Sequence, residues 1–73
     1  MIATRELIEL LRRANPQALV EEHRVRAAIR WGGVPSPRLF AGRMAWSEED
    51  ARALAAHLGL ELPADALREA MSP

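Results

Sequence analysis

A short stretch in the middle of the chain, GGVPSPRLFAGRMAW, interrupts a sequence that is otherwise patterned for helices. Its glycine pair is a strong helix stop, and its two prolines keep the following residues extended. The segments RLF and RMAW then flank Ala41-Gly42, where the glycine supplies the positive φ that a tight turn requires. We therefore expect a two-stranded β-hairpin that packs against helices, because an isolated hairpin is marginally stable in water.

Two segments before the hairpin have apolar residues at helical spacing. The first helix is predicted to begin after Thr4, a good N-cap residue, and to stop at Asn15-Pro16, because proline disfavours helical geometry in the residue before it. The second helix is predicted over roughly residues 22–31. Residues 16–21 either form a separate helical turn or run directly into the second helix.

The segment after the hairpin has the signals of a capped helix. Ser47 is the expected N-cap, Asp50 occupies the N3 position of a capping box, and Gly59 is the expected C-cap. Glu48 and Glu49 fall in the first turn, where the helix macrodipole favours negative charge. Capping therefore accounts for the three consecutive acids, which need no catalytic role.

The end of the chain, residues 60–73, is predicted to add a short helical tail from Pro63. Its apolar side chains can pack on the rest of the chain or on a neighbouring molecule; they are Leu67, Ala70 and Met71. With 73 residues, the chain is expected to form a single domain over residues 1–73. The predicted fold is mainly α with a small β-hairpin, built from three to four helices and two strands.

The net charge of zero conceals three blocks of different sign. Residues 1–22 have three arginines and four glutamates, and residues 47–73 have two arginines and six acids. Between them, residues 23–46 have five arginines and no acid, a balance of +5. Charge blocks are often only solvated surface, but guanidinium groups also suit phosphate and guanine. This block is therefore a candidate surface for a polyanion.

The predicted second helix places part of this basic block on one side of a helix. The side expected to face the core carries Val25, Ala28 and Ile29. The opposite side carries, at positions i, i+3, i+4 and i+7, His23, Arg26, Ala27 and Arg30. Long polar side chains around one small residue form a pattern that suits a helix entering a DNA groove.

Several functional classes find no support in the residues. The chain has no cysteine and two histidines, so we expect neither a disulfide framework nor a metal site. No nucleophile lies beside a His–Asp pattern, and the four glycines have no phosphate-loop spacing, so we expect neither an enzyme nor a cofactor. The lack of a leader and of a long apolar run predicts a cytoplasmic protein without membrane contact.

The three large aromatic side chains are expected to be packing residues. Phe40 and Trp46 are predicted to anchor the core or the hairpin. Trp31 has the chemistry to stack on a sugar or a base. A tryptophan beside two glycines at a helix end is, however, more typical of a residue that packs under the following hairpin.

The order of these features resembles a known family. A helix ending in glycine, a proline-bearing hairpin and a Ser-capped acidic helix are similar to the MerR-like and excisionase-like small DNA-binding domains, whose fold is a winged helix-turn-helix. The residues that carry the resemblance are Val25, Ile29, Gly32, Val34, Pro35, Gly42, Arg43, Trp46, Ser47 and Asp50. Residues 4–22 match only loosely, because the first connection is longer than the short turn usual in that family.

The resemblance implies that the second helix is a recognition helix in the major groove, and that the hairpin is a wing on the flanking backbone or minor groove. The helix residues expected to contact DNA are His23, Arg24, Arg26, Ala27 and Arg30. The wing residues expected to do so are Arg38 and Arg43. Either Arg26 or Arg30 is the expected reader of a guanine.

The implied function is sequence-specific binding of double-stranded DNA by a nucleoid-associated protein in a bacterial or phage context. Such a protein acts either as an excisionase-like recombination directionality factor beside an integrase or as a small transcriptional regulator. The resemblance also implies a homodimer or a cooperative array on repeated sites.

An alternative is a protein–protein adapter that uses the acidic third helix and the apolar tail to dock a larger nuclease, recombinase or polymerase. A toxin–antitoxin component or a phage-encoded inhibitor is compatible with the size alone.

Overall fold

The computed structural model describes residues 1–72. Within these residues the chain forms, in order, β1 Ile2–Ala3, α1 Thr4–Ala14, α2 Glu22–Arg30, β2 Arg38–Phe40, β3 Arg43–Trp46, α3 Glu48–Leu58 and α4 Ala64–Met71. The result is a small mixed α/β domain in which helices predominate, as the sequence indicated. Across the described part of the chain, every helix is too short or too polar to cross a lipid bilayer.

The hairpin belongs to an antiparallel sheet that has three strands within residues 1–72. The two predicted strands are present, with β3 in the centre, and β1 adds a third strand that was not predicted. Ile2 pairs with Trp46, and Ala3 pairs with Ala45. A strand of two residues is too short to show an alternating pattern, so β1 could not be predicted from the sequence.

The hairpin turn consists of Ala41 and Gly42, as predicted. Their φ angles are 51° and 79°, and positive φ at both positions is what a type I′ turn requires. Arg43 directly follows the turn and pairs with Phe40. Arg38, the other predicted wing residue, begins β2 and pairs with Ala45 at the far end of the hairpin.

One apolar cluster joins the helices to the inner face of the sheet. Its fully buried side chains are Trp46, Leu7, Leu11, Leu54, Leu67 and Val25. Trp46 also donates its Nε1–H to Thr4 Oγ1 at 2.9 Å, which satisfies the indole inside the core. The prediction that Thr4 is an N-cap is therefore wrong, because Thr4 is the first residue of α1 and its hydroxyl accepts from the tryptophan.

Residues 15–21, which connect α1 to α2, are not helical. They therefore form neither a separate helical turn nor an extension of α2, the two alternatives that the sequence left open. Asn15 is the C-cap of α1, and its side-chain amide exchanges two hydrogen bonds with the backbone of Glu61 at 2.9 and 3.0 Å. Arg12 Nε donates to the carbonyl of Val20 at 2.9 Å, and Val20 is buried. The long connection is thus held against α1 and against the segment that precedes α4.

The Ser47 N-cap and the Gly59 C-cap predicted for α3 are confirmed, but within residues 1–72 the Asp50 carboxylate does not complete the capping box. Ser47 Oγ accepts the backbone N–H of Asp50 at 3.1 Å, and Gly59 takes the left-handed C-cap conformation with a φ of 68°. The tail is helical, and it packs on its own chain rather than outward. Leu67 is buried in the core, and Met71 is partly buried against it.

Two of the three aromatic residues contradict the packing prediction. Trp46 is buried, but Phe40 is 72% exposed and Trp31 is 81% exposed. Because Trp46 faces the core, strand alternation turns Arg43 and its cross-strand partner Phe40 to the outer face of the sheet. Trp31 follows the last residue of α2, and its ring lies 5.9 Å from the guanidinium carbon of Arg30, within the range of a cation–π contact.

Candidate nucleic-acid interface

The two sides of α2 are divided as the sequence predicted. Val25 and Ala28 are buried, and Ile29 is half-buried against the core. The opposite side is exposed to solvent and carries His23, Arg26, Ala27 and Arg30. The helix therefore presents three long polar side chains around one methyl group, free of the core.

Local contacts orient several of these polar side chains. Arg26 Nη2 lies 3.0 Å from Glu22 Oε1, one turn earlier, and both side chains are more than half exposed. His23 Nδ1 lies 3.0 Å from Glu21 Oε2. Exposed pairs of this kind contribute only about 0.2–1 kcal/mol, so they do not lock the side chains in place. Arg24 differs, because its Nη1 donates to the carbonyl of Leu19 at 3.1 Å and so turns back toward the α1–α2 connection.

A groove of about 820 Å³ lies between α1, the start of α2 and the hairpin turn. We call it the arginine groove, after the four basic residues in its lining, which are Arg5, Arg12, Arg26 and Arg43. It brings together Arg26 from the predicted recognition helix and Arg43 from the predicted wing. Within residues 1–72, Arg30 and Arg38 lie outside this lining.

Arg5 and Arg12 are groove residues that sequence reasoning did not select. They are seven positions apart on α1, which places them on one face of that helix together with Glu9. The i, i+7 spacing of Arg5 and Arg12 could have indicated that they share one face of α1. Sequence reasoning used helical spacing on α1 only to select core residues. Arg12 also holds the connection through Val20, so it has a structural role as well.

Acidic residues moderate the charge of the arginine groove. Glu6, Glu9 and Glu22 line it beside the four arginines, which leaves an excess of one positive charge. Glu22 is the partner of Arg26. Because like charges repel, the glutamates of α1 disfavour an anion lying along that helix, and the arginines of α2 and the hairpin are the better contact points.

The acids of α3 leave the basic segment uncompensated. The ion pairs found within residues 1–72 are Arg26–Glu22 and Arg52–Glu48, and His23 contacts Glu21. Glu48 is thus paired inside its own helix, at 2.8 Å from Arg52 Nη2. Among the five arginines of residues 23–46, only Arg26 has an acidic partner within residues 1–72. That partner, Glu22, belongs to α2 and not to α3.

No protein family, curated protein or solved structure matches this chain. The chemistry of the exposed arginines and their arrangement are therefore the basis for a functional proposal.

Proposed function

We propose that this protein is a winged helix-turn-helix domain that binds double-stranded DNA through α2 and the hairpin. The observation that carries the proposal is that Arg26 and Arg43, from two separate elements, line one groove. In this proposal α2 enters the major groove, and the hairpin is a wing that lies on the flanking backbone or in the minor groove. The α1–α2 connection replaces the short turn of related motifs.

Each candidate residue has a role that suits its chemistry. Arg26 and Arg30 are exposed and long enough to reach base edges, where an arginine can donate two hydrogen bonds to a guanine. Ala27 lies between them and permits close approach. His23 contacts a phosphate at the start of the helix, and Arg24 contacts one through the guanidinium N–H groups that its bond to the Leu19 carbonyl leaves free. Arg38 and Arg43 contact phosphates or the minor groove from the hairpin and complete the set.

Phosphate contacts make the affinity depend on salt. The three arginines assigned to phosphates, Arg24, Arg38 and Arg43, give a slope of log K against log salt of roughly −3, at about −0.9 per phosphate. A domain this small has few contacts, so cooperative binding as a homodimer or array on repeated sites would raise its occupancy. Binding of this kind serves either recombination directionality or regulation of a promoter.

The structure offers less to the adapter alternative. Its apolar tail is engaged in the protein's own core, where Leu67 is 1% exposed. In its acidic helix, Glu48 pairs with Arg52, and the three acids of the first turn lie where the macrodipole favours negative charge. A docking surface there would lack the exposed apolar centre that protein interfaces usually contain.

Fluorescence anisotropy with a labelled duplex that the wild type recovers from a random-sequence pool, at low and at moderate salt, tests the proposal. The wild type is expected to bind, with an affinity that falls steeply as salt rises. The double variant Arg26→Ala with Arg30→Ala is expected to lose at least about 30-fold, because each lost guanine contact costs about 1–3 kcal/mol.

The matched control is Arg52→Ala with Arg68→Ala, which removes two exposed arginines from α3 and α4. Its net charge is the same as that of the first double variant, so a purely nonspecific charge effect would weaken both equally. Equal losses, or binding that ignores salt, would contradict the proposed interface. Failure of the wild type to bind any duplex would reject DNA binding itself.

A further inference from the structure

We infer that Phe40 is an apolar wedge that the hairpin inserts between base steps of the minor groove, so that binding kinks the DNA. The inference rests on the proposed DNA binding and adds a mechanical consequence to it. Its starting point is an aromatic side chain that is 72% exposed at the end of β2. The side chain is largely outside the core, so the fold gives little reason for a phenylalanine at this position.

The shape of the hairpin tip suits entry into a narrow groove. Phe40 is the last residue before the turn, and the turn itself consists of Ala41 and Gly42. These two residues carry only a methyl group and a hydrogen, so the tip is slim on both sides of the ring. The minor groove of B-DNA is about 6 Å wide, which excludes a bulky turn and admits a slim one.

The charges around the ring match the surroundings of a minor groove. Arg43 is the cross-strand partner of Phe40, and Arg38 lies two positions before it, so strand alternation puts both arginines on its face of the sheet. Both arginines are exposed. Proteins that kink DNA from the minor groove combine an inserted apolar wedge, often Phe or Leu, with Arg or Lys beside it.

Phe40 also borders the proposed interface. Arg43 lines the arginine groove together with Arg26, and it lines a second recess of about 330 Å³ together with Phe40. A duplex that contacts Arg26 and Arg43 at once therefore brings its backbone next to the ring. Leu39 is 71% exposed and pairs with Met44 on the other face of the hairpin, so it is a second apolar contact at the same tip.

A second copy of the chain is the rival occupant of this surface. Met1, Ala3 and Ala45 line the recess beside Phe40 and give it an apolar floor. Two copies that meet face to face here would bring their Arg38 and Arg43 side chains together, and juxtaposed like charges disfavour such an interface. DNA supplies the opposite charge, so the surroundings of Phe40 favour DNA over self-association.

The test compares DNA bending by the wild type, Phe40→Ala and Phe40→Leu. The probe is a duplex recovered by the wild type from a random pool, labelled at both ends for energy transfer and carrying 2-aminopurine at its pyrimidine–purine steps in turn. We expect the wild type to shorten the end-to-end distance and to raise 2-aminopurine fluorescence at one step, because that step is unstacked.

Phe40→Ala is expected to bind the same duplex within about tenfold of the wild-type affinity, because the cost of unstacking disappears together with the contact. It is expected to lose most of the bend and of the fluorescence rise. Phe40→Leu is expected to keep a large part of both, since leucine also acts as a wedge. Leu19→Ala, which removes an apolar side chain that is 63% exposed outside the hairpin, is the matched control and should bend DNA like the wild type.

Equal bending by Phe40→Ala and the wild type would overturn the wedge and leave the proposed DNA binding intact. So would a wild-type complex in which the duplex stays straight. Sedimentation tests the rival occupant, a second copy of the chain. That occupant requires that the wild type self-associates, that Phe40→Ala does not, and that the DNA remains straight. If the wild type binds no duplex at all, the proposed function fails and the wedge fails with it.

Discussion

Helices α2 and α3 pack against the same core but use their polar residues differently. In α3, Ser47 caps the first turn, Gly59 closes the last, and Arg52 pairs with Glu48. In α2, the N-cap residue is Glu21, and in the described part of the chain its side chain makes no capping hydrogen bond. Both helices contain one exposed i, i+4 ion pair, so the difference between them lies in the side-chain cap that α3 has and α2 lacks.

The charged residues of the chain can be compared in the same way, by whether contacts within the fold account for them. Within residues 1–72, three acids have a basic partner, namely Glu21, Glu22 and Glu48, and the acids of residues 48–50 lie in the first turn of α3, where the macrodipole favours negative charge. The arginines of residues 23–46 are concentrated on α2 and the hairpin, where the core does not use them. A chain with a net charge of zero can therefore present a basic face to a polyanion, because its acids, with the exception of Glu22, lie outside α2 and the hairpin.

The largest expected effect tests whether α3 contributes to folding and not to DNA binding. Leu54→Ala removes a side chain that is 0% exposed, and a buried leucine truncated to alanine typically costs about 2–5 kcal/mol. Urea unfolding followed by tryptophan fluorescence measures the loss. DNA affinity, corrected for the folded fraction, should stay at the wild-type value. Leu58→Ala is the control on the same helix and should cost less, because Leu58 is only partly buried.

An exchange of N-cap chemistry between the two helices should have an intermediate effect. Ser47→Ala removes the hydroxyl that accepts from Asp50, and we expect it to lower the free energy of unfolding by about 1 kcal/mol. Glu21→Ser gives α2 the cap that it lacks, and we expect a gain of up to about 1 kcal/mol. Thermal denaturation of both variants checks the pair. Equal and small shifts would show that the helices do not differ in capping.

The sequence predicted the elements whose signals are local. The Gly32-Gly33 stop, the Ala41-Gly42 turn and the Ser47 cap each depend on a few adjacent residues, and each is where the sequence indicated. The two sides of α2 followed from helical periodicity in the same way. These features are readable because backbone geometry and side-chain type are coupled within a single turn.

Features that depend on distant residues were missed. Thr4 was chosen as a cap because of its type, but its partner is Trp46, 42 residues away in the chain. Phe40 was expected to anchor the core or the hairpin, and Trp31 was expected to pack under the hairpin because it stands beside two glycines, yet both side chains are exposed. The contribution of Arg5 to the arginine groove likewise depends on where α1 lies relative to the hairpin.

The smallest expected change in stability gives the sharpest comparison of the two helices. Glu22–Arg26 on α2 and Glu48–Arg52 on α3 are both exposed pairs with i, i+4 spacing. Arg26→Ala and Arg52→Ala should therefore each change the free energy of unfolding by no more than about 0.5 kcal/mol, and the higher helix propensity of alanine offsets part of that loss.

Their effects on DNA should differ, although the two substitutions remove the same chemical group from the same helical geometry. Arg26→Ala is expected to weaken binding by at least about fivefold, since a lost base contact costs about 1–3 kcal/mol, and Arg52→Ala should leave the affinity nearly unchanged. Paired urea and anisotropy titrations measure both quantities on each variant. Equal affinities of Arg26→Ala and Arg52→Ala would contradict a specific role of α2 in DNA binding. The two substitutions have matched effects on stability, so a difference in folding could not hide such a role.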